Sequence, residues 1–213
     1  MLQRAYSANK QTHVAFVDES YLPPSRDLPQ TPFYVATAYV APCVDHTGIR
    51  EDLRDIVGGD FWHTTEAHRS VEQRPIVEEL CRYVGEGGGD EHVVVALKKP
   101  ILANDPDGET ARSQCLTELF SALQDGTASP AVTLVIYEER KYQTQRNADA
   151  RTITKARADG ALDRHFVAFA GSPSYETLLW VPDVISFAVY HRETNSVFKY
   201  LDPFESKVQY LTA

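Results

Sequence analysis

The chain has 213 residues, 43% of them hydrophobic, and a formal net charge of -9. It can bury a full core, offers no stretch of about 20 apolar residues to span a membrane, and its acidic balance disfavours broad electrostatic capture of nucleic acid. The N-terminal stretch shows no apolar run leading to a small-residue cleavage site, so the expected location is the cytoplasm. Cys43, Cys81 and Cys115 lack a Cys-x-x-Cys pair and are expected to be reduced, buried packing residues.

His13 to Asp18 is a short apolar run that stops at Asp-Glu-Ser, and Phe33 to Ala41 is a second, richer in aromatic and β-branched residues; both read as strands. Pro23, Pro24, Pro29 and Pro32 make their connection a long loop instead of a tight hairpin. Over 45–57, Ile49, Leu53, Ile56 and Val57 recur at helical spacing, and Gly58-Gly59 stops the helix. Phe61 to His63 reads as a short strand, and Ser70-x-x-Gln73 as a capping box that opens a helix running to about Gly85. A β-favouring run from His92 to Lys98, a helix around Glu109 to Gln124 and a buried strand from Ala131 to Tyr137 follow. A basic helical stretch near 148–160, a strand at Phe166 to Phe169 and an apolar helix from Pro182 to His191 complete the body. The aromatic tail from Ser196 is expected to drape over the surface. No repeat or linker divides the chain, so the expectation is one α/β domain, with a core over about 13–192, a C-terminal extension over 193–213 and a mixed sheet whose parallel pairs are reached by helical crossovers.

Four acids stand where apolar elements end. Asp183 is the one charge in Leu178 to Tyr190, a segment apolar nearly all round and therefore expected to be buried. There a carboxylate costs several kcal/mol unless hydrogen-bonded, paired or bound to a cation, although Pro182 also suits a helix start, where an acid complements the dipole. Asp18, beside Glu19 and Ser20, ends the first strand; Glu138 and Glu139 end a later one; Glu66 lies between His63 and His68. Three of the four sites follow a strand, so a sheet of this topology can bring them to one edge. Clustered carboxylates repel unless a divalent cation neutralises them, and magnesium or manganese suits an oxygen-rich site. Two such ions serve phosphodiester hydrolysis. His63 and His68 do not match the His-Glu-x-x-His zinc spacing; His63 is a candidate proton carrier. Residues 140–164 hold seven basic side chains, among them Arg140, Lys141, Arg146 and Arg151, against three acidic ones; this local +4 leaves -13 for the rest. The segment reads either as a solvated helix face or as a phosphate-facing surface. Lys98 and Lys99, at the end of a strand, read as a solvated strand end ahead of a phosphate contact.

Phe16-Val-Asp-Glu-Ser20, Phe61-Trp-His-Thr-Thr-Glu66, Ile136-Tyr-Glu-Glu139 and Leu179-Trp-Val-Pro-Asp-Val-Ile185 resemble a large bacterial family, the domain of unknown function numbered three thousand eight hundred. The resemblance spans roughly residues 13–192 and implies a ribonuclease-H-like mixed sheet flanked by helices, with an acidic site at Asp18, Glu66, Glu138 (or Glu139) and Asp183. Two departures bear on metal geometry: a Glu-Glu pair stands where an aspartate is expected, and Pro182 replaces the small residue before the helix aspartate. The leading expectation is a nuclease that uses Mg2+ or Mn2+ at these four acids on RNA or DNA, with Glu19, Ser20, His63 and Glu139 in support and the basic segment guiding the phosphate chain. The alternative is a non-catalytic protein-binding module of a defence or toxin system, motivated by the acidic remainder of the surface; a shared scaffold alone decides nothing about activity.

Overall fold

Two ten-residue strands, β1 (His13–Leu22) and β2 (Phe33–Pro42), pair antiparallel at the centre of a six-stranded sheet ordered β5-β4-β1-β2-β3-β6. The structure is a computed structural model that describes residues 5, 6, 9, 11–25 and 29–213. Most of the N-terminal stretch read above for a leader, and residues 26–28 of the proline-rich connection, lie outside that description. β3 (His92–Lys98) runs antiparallel to β2, while β4 (Leu134–Glu138) is parallel to β1 and β5 (Val167–Gly171) is parallel to β4. Helices α1 (His46–Val57), α2 (Thr64–Arg69) and α3 (Arg74–Glu86) lie between β2 and β3; α4 (Glu109–Asp125), α5 (Gln143–Ala158) and α6 (Trp180–Asn195) follow β3, β4 and β5. The result is one α/β domain with a mixed sheet covered by helices on both faces.

Strand periodicity divides the core. Val14 and Phe16 of β1 join Trp180, Ile185 and Ala188 of α6 on one face, whereas Ala15 and Val17 join Cys115 and Leu119 of α4 on the other. Each such fully buried Phe, Leu or Val contributes about 1.5–3 kcal/mol. Thr37 of β2 fixes α6 against the first face: its Oγ1 lies 2.7 Å from Ser186 Oγ and donates to the Pro182 carbonyl at 3.0 Å. Helix α1 stops as expected, at Gly58, whose φ of 68° suits glycine and whose N–H reaches the Arg54 carbonyl.

Several expectations are corrected. Phe61 to His63 is not a strand; Trp62 is buried and its indole N–H donates to Thr64 Oγ1 at 2.9 Å, anchoring the entry to α2. The capping box does not form, because Ser70 closes α2 and α3 begins four residues later without a side-chain cap. The basic helix is longer than expected and starts at Gln143. Cys43 is only half-buried, while Cys81 and Cys115 are buried. The largest departure is the tail. Tyr200, Leu201 and Phe204 are buried, and Val208–Thr212 forms β6, parallel to β3 at the sheet edge. Gly85 permits this: a Cβ there would stand 2.2 Å from the Pro203 carbonyl oxygen. Among the described residues no helix is long and apolar enough to cross a membrane.

Candidate functional site

The parallel register of β1 and β4 sets Val17 beside Tyr137, so the next residues, Asp18 and Glu138, end their ladder side by side. Both continue the periodicity of Phe16 and Ile136 and therefore face α6, which presents Asp183 from its first turn. The three carboxylates line one cavity of about 240 Å3 together with Glu19 at its border, Ser20, His63 and Thr65, and no Lys or Arg contributes to its walls. Asp18 is 8% exposed.

Asp183 is held from α2. Thr64 donates to Asp183 Oδ2 twice, from its backbone N–H at 2.8 Å and from Oγ1 at 2.9 Å, using an amide that the helix start leaves without an internal partner. Burial pushes the Asp183 carboxyl up, with Thr64 and the charge of His63 opposing. Asp18 is driven well above the ordinary carboxylate range by burial, then by Glu138, Glu19 and Asp183. Glu138 is raised by burial and by Asp183 and Glu19, and lowered by a hydrogen bond from Asp18. Without a cation, the neighbouring Asp18 and Glu138 carboxyls both resist ionisation.

Glu19 behaves differently because it faces the other side of the sheet. There it meets the guanidinium of Arg112, which is 2% exposed and forms an ion pair with Glu19 through Nη1. Arg112 also grips Asp149 of α5 through two bonds, at 2.7 and 3.0 Å, and donates to Tyr34 Oη at 2.7 Å. Burial works against the charge of Arg112, but Glu19, Tyr34 and Asp149 hold it protonated; burial raises Glu19 and Arg112 opposes that rise. The composition gave no sign of this network: Asp149 counts there merely as one acid within a basic stretch.

Of the predicted residues, Asp18, Glu138 and Asp183 come together, with Ser20 and His63 on the same walls. Glu66 does not; it is exposed in the first turn of α2, and Thr64 and Thr65 approach the cavity in its place. Glu139 is exposed, turned to the opposite side from Glu138, with Arg146 Nε at 3.6 Å. The basic segment is not one continuous phosphate-facing stripe. Arg140 is spent on Glu109 and Asp149, and Arg146 donates to the carbonyls of Arg140 and Lys141, whereas Lys141 and Arg151 are exposed. Lys99 pairs with Glu193 at 2.7 Å, so it is not a merely solvated strand end. His68 is occupied by Tyr200 Oη at 2.9 Å and by the ring of His191.

The donors fit a hard divalent cation in kind, being oxygen ligands of raised pKa with no Lys or Arg on the walls. Among the described residues, though, no three His, Cys, Asp or Glu side chains are drawn into one ligand set. Compared with models of known protein families, with curated proteins and with solved structures, the chain matches none.

Proposed function

We propose that this chain is a metal-dependent nuclease of ribonuclease-H-like fold, in which Asp18, Glu138 and Asp183 hold Mg2+ or Mn2+ against a phosphodiester of RNA or DNA. One observation carries the reading: three carboxylates, two from parallel strand ends and one from an otherwise apolar helix, share a cavity whose walls contain no Lys or Arg. Keeping them there without a cation costs stability, because burial raises all three and repulsion from neighbouring carboxylates adds to the rise of Asp18 and Glu138. The central antiparallel pair, with parallel strands β4 and β5 added beside β1, supports the fold assignment. A bound divalent cation supplies charge neutralisation and a more acidic water at the phosphate. For its part the chain fixes Asp183 through Thr64, sets Asp18 and Glu138 side by side where a cation would relieve their raised pKa, and sets His63 at the cavity wall to carry a proton to or from solvent.

Manganese titration by calorimetry tests this, on the wild type and on Asp18→Ala/Asp183→Ala. Binding present in the first and lost in the second, together with manganese-dependent cleavage of oligonucleotides by the wild type alone, is the expected result. A wild type that takes up no manganese overturns the reading. A partner-binding role is favoured by a separate observation, an open cleft of about 710 Å3 that carries Asp45, Asp52, Glu86 and Glu91. That role is the one to pursue if manganese fails to bind.

A further inference from the structure

The acidic cavity continues into a groove of about 530 Å3, and the two share Asp18, Glu19, Ser20 and Glu138 as walls. The rest of the groove has a different chemistry, supplied chiefly by Tyr21, Tyr34 and Lys141. Tyr21 lies three residues beyond Asp18 on the same strand, a separation of about 10 Å at the usual rise. Its ring stacks on that of Tyr34, with centroids 5.5 Å apart and planes 21° apart. Tyr34 is itself 3% exposed and anchored by Arg112 through its hydroxyl, so it is a rigid backing. Gly108, at φ 71°, closes in from the start of α4: a Cβ there would be 3.3 Å from a Tyr34 ring carbon and 3.4 Å from one of Tyr21. One face of Tyr21 is thus covered and pre-set, while the residue remains 43% exposed to the groove.

Charge then limits what can occupy this groove. Its walls carry five carboxylates, Asp18, Glu19, Asp107, Glu138 and Glu139, against Arg140 and Lys141, and Arg140 is already committed to Glu109 and Asp149. A ligand held by phosphate charge alone would be repelled. An aromatic face, one exposed cation and a neighbouring carboxylate site suit a ligand that brings a flat π-surface as well as a phosphate. The volume lies in the range of small-ligand pockets and admits one nucleotide.

We propose that the groove takes an unpaired nucleotide, its base stacked on Tyr21 and its phosphate beside Lys141, so that the substrate of the neighbouring site is a single-stranded polynucleotide. This rests on the nuclease reading above. In a duplex both faces of a base are covered by its neighbours, and Tyr21 reaches one only after unstacking. The acidic walls further make capture of the strand depend on the divalent cation.

Fluorescence anisotropy tests the inference with a labelled oligonucleotide offered as single-stranded RNA, single-stranded DNA and the matching duplexes, with calcium present or chelated. The wild type should prefer a single strand over its duplex and lose most of its affinity on chelation; the RNA and DNA arms show which sugar is accepted. Tyr21→Ala should weaken single-strand binding about 5- to 100-fold while Tyr21→Phe retains it, and Lys141→Glu should weaken it as well. Equal affinity for duplex, absence of binding to either form, or indifference to Tyr21→Ala overturns the proposal. The two readings fail separately. Metal-dependent cleavage with no single-strand preference removes the groove assignment and leaves the nuclease; Tyr21-dependent single-strand binding with no cleavage under any divalent metal does the reverse.

Discussion

Replacing Arg112 by Ala leaves half-buried Glu19 without its counter-charge and buried Asp149 with only Arg140 Nη1, at 3.6 Å, on the face of the sheet opposite the acidic cavity. The Arg112 and Asp149 side chains are 2% and 3% exposed, so water cannot take over the missing bonds. Removing one partner from a buried pair of this kind costs about 3–5 kcal/mol, a large share of the roughly 5–15 kcal/mol by which a domain is stable. For a chain of this length each kcal/mol moves Tm by about 2–4 °C, so the expected fall is roughly 6–20 °C. Thermal unfolding followed by circular dichroism measures it, and raising the salt should change the fall little because the pair is shielded from solvent. The exposed pair Lys155 and Asp159 is the comparison: Lys155→Ala should shift Tm by no more than about 2 °C. Arg112→Leu/Asp149→Leu, which removes both charges and restores packing, should recover part of the loss. An Arg112→Ala variant within about 2 °C of wild type would refute the idea that this network is dry and matters to the fold.

Two further outcomes follow from titration. His46, 3% exposed, is lowered from 6.5 to about 4, first by burial, so the folded protein keeps it neutral where the unfolded chain protonates it; stability is therefore lost as pH falls from 6.5 to about 4. The loss amounts to about 3 kcal/mol, and urea unfolding of His46→Phe across that window should show a correspondingly flatter pH dependence. Asp18 has the opposite sign: its raised folded pKa means that its penalty is absent below the unfolded value of 3.8 and grows as pH rises through the folded one. Asp18→Asn should accordingly raise Tm by about 1–8 °C at neutral pH and by nothing at low pH, while abolishing manganese uptake. A neutral-pH Tm at or below that of wild type would count against repulsion at the site.

Long apolar elements were legible because burial on both faces writes itself as continuous hydrophobic runs. β1, β2, β3 and the helix around Asp183 all fall in that class. β6 was not, since Val208–Thr212 is a half-exposed edge strand whose partner, β3, is more than a hundred residues away. The same distance hid the burial of Tyr200 and Phe204. Glu66 was misplaced for a local reason. A strand at Phe61 to His63 would have carried it to the sheet edge, but buried Trp62 turns the chain into α2, which offers Thr64 to Asp183 and turns Glu66 to solvent.

Asp18 and Glu19 show where sequence reasoning stops short. Alternation along β1 already requires adjacent residues to face opposite sides of the sheet, so the two carboxylates meet different partners even though both residues border the cavity at the strand end. What alternation cannot say is what waits on each side. One side holds two more carboxylates and no Lys or Arg wall residue, and the other holds Arg112, set by a helix almost a hundred residues further on. Chemically the acids are near-identical, yet one strains the fold and the other supports it. That contrast makes Asp18 the residue whose retention calls for a ligand, and Glu19 the one that needs none.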